Sequence, residues 1–192
     1  MLDAALLKRA LQVPMALEDG EEFTDVVTDS RAIVPGCLFV ALKGEKFDGH
    51  RFVAQALEDG ARAAVVSEVP AGVPADRCVV VPDTLTAYQQ IASRYRLDKK
   101  GLTVIAITGS NGKTSTKDCI AAVLGEKYRV IKTQANFNNE IGLPKTLLTI
   151  REDTEMAVVE MGMRGLGQIR AMKHIAYPDA AVITNVGDTH LE

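Results

Sequence analysis

The sequence predicts an α/β fold, and three observations carry this prediction. Short apolar runs rich in β-branched residues alternate with segments of helical periodicity along the chain. In the second half these runs are apolar on both faces, which is typical of parallel strands covered by helices. A glycine-rich loop joins the run 102–108 to a helical segment. Together they predict a small N-terminal α/β domain, 1–98, followed by a P-loop-type parallel-sheet domain, 99–192.

The predicted elements of the first domain are short. A helix is expected at 3–13 and ends before Pro14, because proline interrupts a helix. A second helix, 51–59, is closed by Gly60, and a third covers 84–96. The predicted strands are 23–28, 37–42, 63–67 and 78–81. The polar segment 97–101 then marks the domain boundary.

The second domain repeats a strand–helix unit. Its predicted strands are 102–108, 128–133, 156–161 and 180–186, and its predicted helices are 115–126, 142–150 and 167–177. Ligands of open parallel sheets bind at the carboxyl ends of the strands. Polar or glycine-rich sequence follows all four strands, at 109–114, 133–139, 160–162 and 185–190. The sequence therefore predicts one continuous site at that edge of the sheet.

The composition excludes some functional classes. The chain has 192 residues and a net charge of −3, which disfavours the strongly basic surface of a general nucleic-acid binder. No apolar run approaches the ~18 residues of a membrane span, and no signal peptide is recognisable, so a cytoplasmic location is expected. Cys37, Cys78 and Cys119 are far apart and odd in number, which favours buried thiols in a reducing compartment.

The loop T-G-S-N-G-K-T-S, residues 108–115, has the order that phosphate binding requires. Gly109 and Gly112 permit close approach of backbone N–H groups to an anion at a helix start. Lys113 can reach the β- and γ-phosphates, and the Thr114 hydroxyl can bind Mg²⁺. The usual pattern G-x-x-x-x-G-K-[ST] would need glycine where Ile107 stands. The alternative is an ordinary glycine-rich turn, which the order of strand, glycines, lysine and hydroxyl disfavours.

Four other positions in the second domain are candidates. Glu160 ends an apolar strand, so it can bind Mg²⁺ or cap the following helix. His190 can ligate a second metal ion, but the residues alone favour a surface histidine. Asn138 and Asn139 suit recognition of a peptide, or else form an asparagine-rich turn.

Loops of the first domain carry a second group of candidates. Arg31 and Lys43 follow predicted strands and can pair with a diphosphate. Ser30, Asp48 and His50 lie on the same loops. Solvated surface loops are an equally good interpretation on chemistry alone.

Residues 108–115 resemble the ATP loop of the Mur ligase family. The segment N-F-N-N-E-I-G-L-P at 136–144, with E-M-G at 160–162 and residues 185–192, is similar to the family members that use D-alanyl-D-alanine. T-D-S-R at 28–31 and F-D-G-H at 47–50 resemble the UDP-binding domain of that family. The resemblance covers essentially the whole chain.

This resemblance implies an ATP- and Mg²⁺-dependent amide ligase. Its substrates would be UDP-N-acetylmuramoyl-tripeptide, activated as an acyl phosphate, and D-Ala-D-Ala, whose amine attacks that intermediate. The alternatives are the preceding ligase, which adds meso-diaminopimelate or lysine, and a non-catalytic nucleotide-binding fragment. Family members continue well beyond residue 192, so we expect a truncated second domain without ligase activity by itself. A monomer without nucleic-acid partners is also expected.

The resemblance also implies roles for individual residues. Lys113, Glu160 and His190 would be catalytic, and Thr114, Glu160 and His190 would hold Mg²⁺. The nucleotide would bind to Thr108, Gly109, Ser110, Asn111, Gly112, Lys113, Thr114, Ser115 and Asn185. The UDP-sugar would meet Ser30, Arg31, Lys43, Asp48 and His50. Asn138 and Asn139 would approach the tripeptide or the phosphoryl group.

Overall fold

A computed structural model of the chain describes residues 2–44 and 47–187. It divides into two compact units, Met1–Arg94 and Tyr95–Glu192. The division lies inside a helix, four residues before the boundary predicted at 98. Each unit contains a four-stranded sheet whose strands are all parallel. The predicted α/β class is thereby confirmed.

The sheet of the first unit follows the order of the chain. Its strands are β1 (Val26–Val27), β2 (Leu38–Val40), β3 (Ala63–Val66) and β4 (Cys78–Val80), in the order β1-β2-β3-β4. The helices are α1 (Ala4–Leu11), α2 (Val53–Glu58) and α3 (Thr84–Asp98). Every residue of β3 is buried, as expected for an inner strand of a covered sheet. Part of the core forms where Phe39 and Val66 pack with α2.

The second unit has the strand order β6-β7-β5-β8. The strands are β5 (Thr103–Thr108), β6 (Val130–Lys132), β7 (Met156–Glu160) and β8 (Ala180–Ile183). The helices are α4 (Lys113–Gly125), α5 (Gly142–Leu148) and α6 (Gln168–Ala176). β5 and β7 are the inner strands, whereas β8 is an outer strand whose Ile183 is 65% exposed. Because the strands are parallel, the loops after all four lie at one edge.

Several predicted strands are shorter in the structure because their ends form other contacts. The strand predicted at 180–186 ends at Ile183, since Thr184 turns its hydroxyl towards the loop after β5. Two short 3₁₀ helices, Ser30–Ala32 and Gly49–Phe52, were not predicted. In each, an aspartate just before the helix accepts a backbone N–H two residues later, which tightens the chain locally.

The three cysteines do not share one environment. Cys37 and Cys78 are buried free thiols, and burial raises the pKa of both. Cys119 is also unpaired but is exposed on α4, so the expectation of burial was wrong there. Helical periodicity explains this, because the buried positions of α4 are Lys117 and Ala121. Among residues 2–44 and 47–187, no helix has the length and apolar character needed to cross a membrane.

Arg96 is a structural tie inside the second unit: its guanidinium links α3 by hydrogen bonds to the end of α6 and to the segment between α6 and β8. It is 7% exposed and donates hydrogen bonds to the carbonyl oxygens of Ala176 and Tyr177, each at 2.9 Å. Its guanidinium also contacts Asp179 Oδ2 at 2.7 Å, and that oxygen accepts the Val104 N–H. We expect Arg96→Met to lower the free energy of unfolding by about 2 kcal/mol, because the buried carbonyl oxygen of Ala176 and the partly buried one of Tyr177 lose their donor. Urea denaturation followed by circular dichroism measures this change.

Arg129→Met is the matched control for this prediction. Arg129 pairs with Asp153 at 3.0 Å, but the two side chains are 69% and 56% exposed. An exposed pair contributes about 0.5 kcal/mol or less. Equal losses in the two variants would contradict the assignment of Arg96 as a structural tie.

Candidate active site

The glycine-rich loop after β5 lies at the start of α4. Gly109 has φ +136° and Gly112 has φ +80°, two backbone conformations that glycine adopts without strain. Gly112 is the N-cap of α4 and supplies no side-chain cap. The first-turn amides of a helix have no partner within the helix. Together with the helix dipole, they suit this loop for binding an anion, and phosphate binding at the loop stays a prediction.

The segment after β8 braces this loop. Asn185 accepts two loop amides: its carbonyl oxygen accepts the Ser110 N–H at 3.0 Å, and its Oδ1 accepts the Asn111 N–H at 2.9 Å. The Thr184 hydroxyl donates to the Asn111 carbonyl at 2.6 Å. Asn185 was predicted to line the nucleotide site, and the structure places it against the loop. Sequence reasoning did not predict the bracing by Thr184.

Lys113 folds over the loop from the first turn of α4. Its Nζ donates to the carbonyl oxygens of Gly109 at 2.7 Å and Ser110 at 3.1 Å. An ammonium group has three N–H donors, so one remains for a further acceptor. This half-buried cation therefore sits where phosphate oxygens bound by the loop would collect.

Glu160 meets α4 at the carboxyl end of β7. Glu160 is only 3% exposed, and its carboxylate accepts hydrogen bonds from two side chains. The Thr114 hydroxyl donates to Oε2 at 3.1 Å, and Asn138 Nδ2 donates to Oε1 at 2.8 Å. Its backbone N–H donates to Thr133 Oγ1 at 2.9 Å. The carboxylate at the end of β7 is therefore contacted by one residue that follows β5 and by one that follows β6.

Thr114 and Glu160 have the donor chemistry that Mg²⁺ prefers. A hydroxyl and a carboxylate are hard oxygen ligands, and magnesium at nucleotide sites takes its remaining ligands from phosphates and water. Over residues 2–44 and 47–187, no cluster of three or more His, Cys, Asp or Glu side chains is arranged to bind a metal ion. The hydroxyl of Thr114 and the carboxylate of Glu160 fit a metal ion whose other ligands are phosphate oxygens and water. His190, the other predicted ligand, lies outside the described residues.

The two asparagines have different roles. Asn138 contacts Glu160, and its backbone oxygen accepts the Gly162 N–H at 2.8 Å. Asn139 Oδ1 accepts the backbone N–H groups of Ile141 at 3.2 Å and Gly142 at 2.8 Å, so it holds the start of α5. The interpretation of this stretch as a turn thus fits Asn139, and the site interpretation fits Asn138. A tripeptide contact for either one stays a prediction.

A cavity of about 300 Å³ opens beside Lys113. It is lined by Lys113, Asn138, Asn139, Glu140, Gly162, Met163, Arg164 and Gln168. Sequence reasoning did not name Glu140, Met163, Arg164 or Gln168 as site residues. The available signal was an arginine in a glycine-rich loop directly after β7. Arg164 adds a second cation to a cavity that already contains Lys113.

The candidates of the first unit follow neighbouring parallel strands. Ser30 and Arg31 come after β1, and Lys43, Asp48 and His50 come after β2. Arg31 is exposed and forms a bidentate pair with Asp29. Lys43 Nζ is also exposed, 3.7 Å from Asp48 Oδ2.

His50 is braced internally. It is 9% exposed, its Nδ1 lies 2.6 Å from Asp48 Oδ1, and its Nε2 accepts the Ser67 N–H at 2.8 Å. The backbone N–H and side chain of His50 hold the pKa of Asp48 below its usual value. Both ring nitrogens have partners, so His50 supports the loop. Contact between these residues and a sugar nucleotide stays a prediction.

Comparisons with known proteins agree with these features. Residues 107–192 match the Mur ligase middle domain, and residues 22–96 match the Mur ligase family catalytic domain. The UDP-N-acetylmuramoyl-tripeptide–D-alanyl-D-alanine ligase of Bacillus subtilis is 53% identical over 168 residues, which cover 87% of this chain and 36% of the relative. The enzyme of the same name from Escherichia coli is 41% identical, with coverage of 87% and 36%.

Solved structures are similar as well. A crystal structure of MurF from Acinetobacter baumannii has a TM-score of 0.88 and 36% identity, covering 99% of this chain and 42% of that one. MurF ligase from Thermotoga maritima in complex with ADP has a TM-score of 0.80 and 38% identity, with coverage of 88% and 39%. The chain therefore spans about two-fifths of the length of these relatives.

Proposed function

Because this chain belongs to the Mur ligase family, matching its catalytic-domain and middle-domain segments, we propose that it forms the nucleotide-binding part of an ATP-dependent peptide ligase. The proposed reaction joins D-Ala-D-Ala to UDP-N-acetylmuramoyl-tripeptide, the reaction that the names of the relatives state. Those names do not favour the alternative that adds diaminopimelate or lysine. The predicted cytoplasmic location accords with a need for ATP.

One observation carries the proposal: Lys113, Thr114 and Glu160 converge where β5 and β7 meet the start of α4. The ammonium of Lys113 and the uncapped amides of α4 suit a polyphosphate, because both present N–H donors to anionic oxygens. Thr114 and Glu160 would hold Mg²⁺, which neutralises phosphate charge when bound. The similar MurF ligase from Thermotoga maritima forms a complex with ADP, which supports nucleotide binding by this chain.

In the proposed reaction the terminal carboxylate of the tripeptide takes the γ-phosphoryl group of ATP, the bond between the γ-phosphorus and the β,γ-bridging oxygen breaks, and ADP leaves. The amine of D-Ala-D-Ala then attacks the acyl carbon, the C–O bond to phosphate breaks, and an amide and inorganic phosphate result. Two anionic reactants must approach each other in the first step, so fixed cations lower its barrier. Lys113 would stabilise the charge on the transferring group from the loop side.

The cavity beside Lys113 is the proposed place of the tripeptide carboxylate. Arg164 and Lys113 both line it, and guanidinium and ammonium groups each recognise carboxylates. Asn138 lines the same cavity and donates to Glu160, so it would connect the carboxylate site to the metal site. The loops after β1 and β2 are proposed to hold the UDP-sugar through Arg31 and Lys43, two exposed cations that follow these strands.

Glu160→Gln tests the metal part of this proposal. The amide keeps an oxygen for the Thr114 hydroxyl but loses the negative charge that attracts Mg²⁺. We expect ADP to bind the variant normally without metal, whereas the gain in affinity on adding Mg²⁺ falls about 10-fold. Isothermal titration of the chain with ADP, with and without Mg²⁺, measures that gain.

Glu155→Gln provides the matched control. Glu155 lies immediately before β7, its carboxylate accepts the Arg129 backbone N–H at 2.9 Å, and it is exposed, so the control should bind Mg²⁺ and ADP normally. A full Mg²⁺-dependent gain in Glu160→Gln would remove Glu160 from the proposed metal site. Absence of ADP binding by the unaltered chain would overturn the nucleotide-binding proposal itself.

A further inference from the structure

Lys117 occupies a core-facing position of α4 that the proposed reaction leaves unused. It lies one helical turn after Lys113, and its residue is only 3% exposed. The other buried residue of α4 is Ala121, a small apolar residue of the kind expected there. Burying an ammonium group costs free energy unless it is hydrogen-bonded and paired. The contacts of this buried ammonium group therefore indicate what it does in the fold.

The ammonium group of Lys117 is tied to the end of β6. Nζ donates to the Thr133 carbonyl oxygen at 2.9 Å and lies 3.6 Å from Asp118 Oδ1. Asp118 also accepts a hydrogen bond from Lys132 Nζ at 2.7 Å, so it shares its charge between two lysines. Both lysines contact Asp118, and Lys117 also contacts the Thr133 carbonyl oxygen.

Thr133 carries the connection on to Glu160. This threonine is fully buried, and its own N–H donates to the Val158 carbonyl at 3.0 Å. Its hydroxyl oxygen accepts the backbone N–H of Glu160 at 2.9 Å. The main-chain carbonyl of Thr133 therefore contacts Lys117, and its side chain contacts Glu160.

These contacts form a closed circuit. It runs from Lys117 through Thr133 to Glu160, and from the Glu160 carboxylate to the hydroxyl of Thr114, three residues before Lys117 on α4. A shift of the helix start relative to the sheet would lengthen at least one of these hydrogen bonds. The circuit thereby keeps the hydroxyl and carboxylate 3.1 Å apart.

We propose that Lys117 is a positioning residue, which acts through Thr133 to hold Glu160 and Thr114 in the geometry that receives Mg²⁺ with a nucleotide. This inference rests on the proposed function, because it assigns Lys117 to the same site. Lys117 itself contacts neither phosphate nor metal in this assignment. Its effect is confined to the metal-dependent part of binding, since the loop that holds the phosphates is braced separately by Asn185.

Lys117→Met and Thr133→Val test the two ends of this connection. Lys117→Met removes the ammonium and keeps an unbranched side chain of similar length. Thr133→Val removes only the hydroxyl and has nearly the same shape, so it serves if the first variant folds poorly. Lys132→Met is the matched control, because it removes the other lysine on Asp118 without touching Thr133.

Two measurements separate positioning from general stability. Titration with ADP should give dissociation constants within about twofold of the unaltered chain without Mg²⁺, and a Mg²⁺-dependent gain reduced about 10-fold in both test variants. Amide hydrogen exchange should be faster at Glu160 in both variants and unchanged in Lys132→Met. Thr133→Val removes the acceptor of the Glu160 N–H, whereas Lys117→Met removes the hydrogen bond that holds the acceptor residue in place.

Three results would overturn the inference. The Mg²⁺-dependent gain could stay intact in both test variants, binding could fall equally with and without Mg²⁺, or Lys132→Met could behave like Lys117→Met. If the unaltered chain binds ADP more tightly with Mg²⁺ in the same experiments, the proposed function stands and only the role of Lys117 is wrong. If the unaltered chain shows no Mg²⁺-dependent gain, the metal part of the proposed function fails and the role of Lys117 fails with it.

Discussion

Replacing Lys113 with alanine is expected to weaken ADP binding by the chain about 100-fold. The ammonium group is the only side-chain cation that donates into the glycine-rich loop among residues 2–44 and 47–187. A hydrogen bond to a charged acceptor is worth about 1.5–3 kcal/mol, and the variant also loses the donor that holds the Gly109 and Ser110 carbonyls. Isothermal titration with ADP measures the loss.

Lys127→Ala is the control for Lys113→Ala. Lys127 lies just past the other end of α4, where its ammonium group stacks over the ring of Tyr128, 5.3 Å from the ring centroid. Removing it changes the net charge equally and should leave ADP affinity unaltered. An affinity within about threefold of the unaltered chain in Lys113→Ala would show that the backbone amides alone bind the phosphates. The proposed role of Lys113 would then be wrong.

The second large effect is expected for Gly109→Ala. The residue has φ +136°, and an added Cβ would overlap the hydroxyl of Thr184 and lie 2.9 Å from the Asn185 carbonyl oxygen. The hydroxyl can rotate away, but the backbone oxygen cannot. The loop must shift, which breaks the bond from the Ser110 N–H to Asn185. We expect a loss of about 4 kcal/mol in unfolding free energy, from backbone strain and overpacking together.

Gly112→Ala separates these two causes. Gly112 has φ +80°, but nothing lies within 4 Å of the position of an added Cβ. Alanine there pays only for the left-handed backbone, about 1–2 kcal/mol. Urea denaturation gives the loss of unfolding free energy in both variants. Gly112→Ala reports backbone strain alone, and Gly109→Ala reports backbone strain together with steric overlap. Equal losses would refute the close packing of the loop after β5 against the segment after β8.

The glycine-rich loop and its neighbours show how far local sequence can predict a site. Lys113 and Thr114 were identified because the order of strand, glycines, cation and hydroxyl is a pattern of consecutive residues. Glu160 was proposed as a ligand or a cap, and its contact with Thr114 favours the first. The structure brings these three side chains together because a parallel sheet places the carboxyl ends of its strands at one edge, and their roles in binding stay predictions.

Other residues were beyond sequence reasoning because their partners are distant in the chain. Thr184 contacts Asn111 across 73 positions, and Thr133 contacts Glu160 across 27. A threonine in a loop is compatible with many turns, so its type alone does not predict a bracing role. Lys117 was missed because a lysine on a helix is ordinarily exposed, whereas this one is 3% exposed.

By itself, the sequence determined the α/β class, the two-part organisation and the glycine-rich turn at 108–115, for which phosphate binding stays a prediction. These properties depend on periodicity and on the conformational freedom of glycine, both of which are local. Only the tertiary structure decided which polar groups meet. In the structure Asn138 contacts Glu160 and Asn139 contacts the start of α5, although the two residues are of the same type and adjacent in the sequence. The physical reason is that a hydrogen bond depends on distance and direction in space, which strand order and helix packing set and residue type does not.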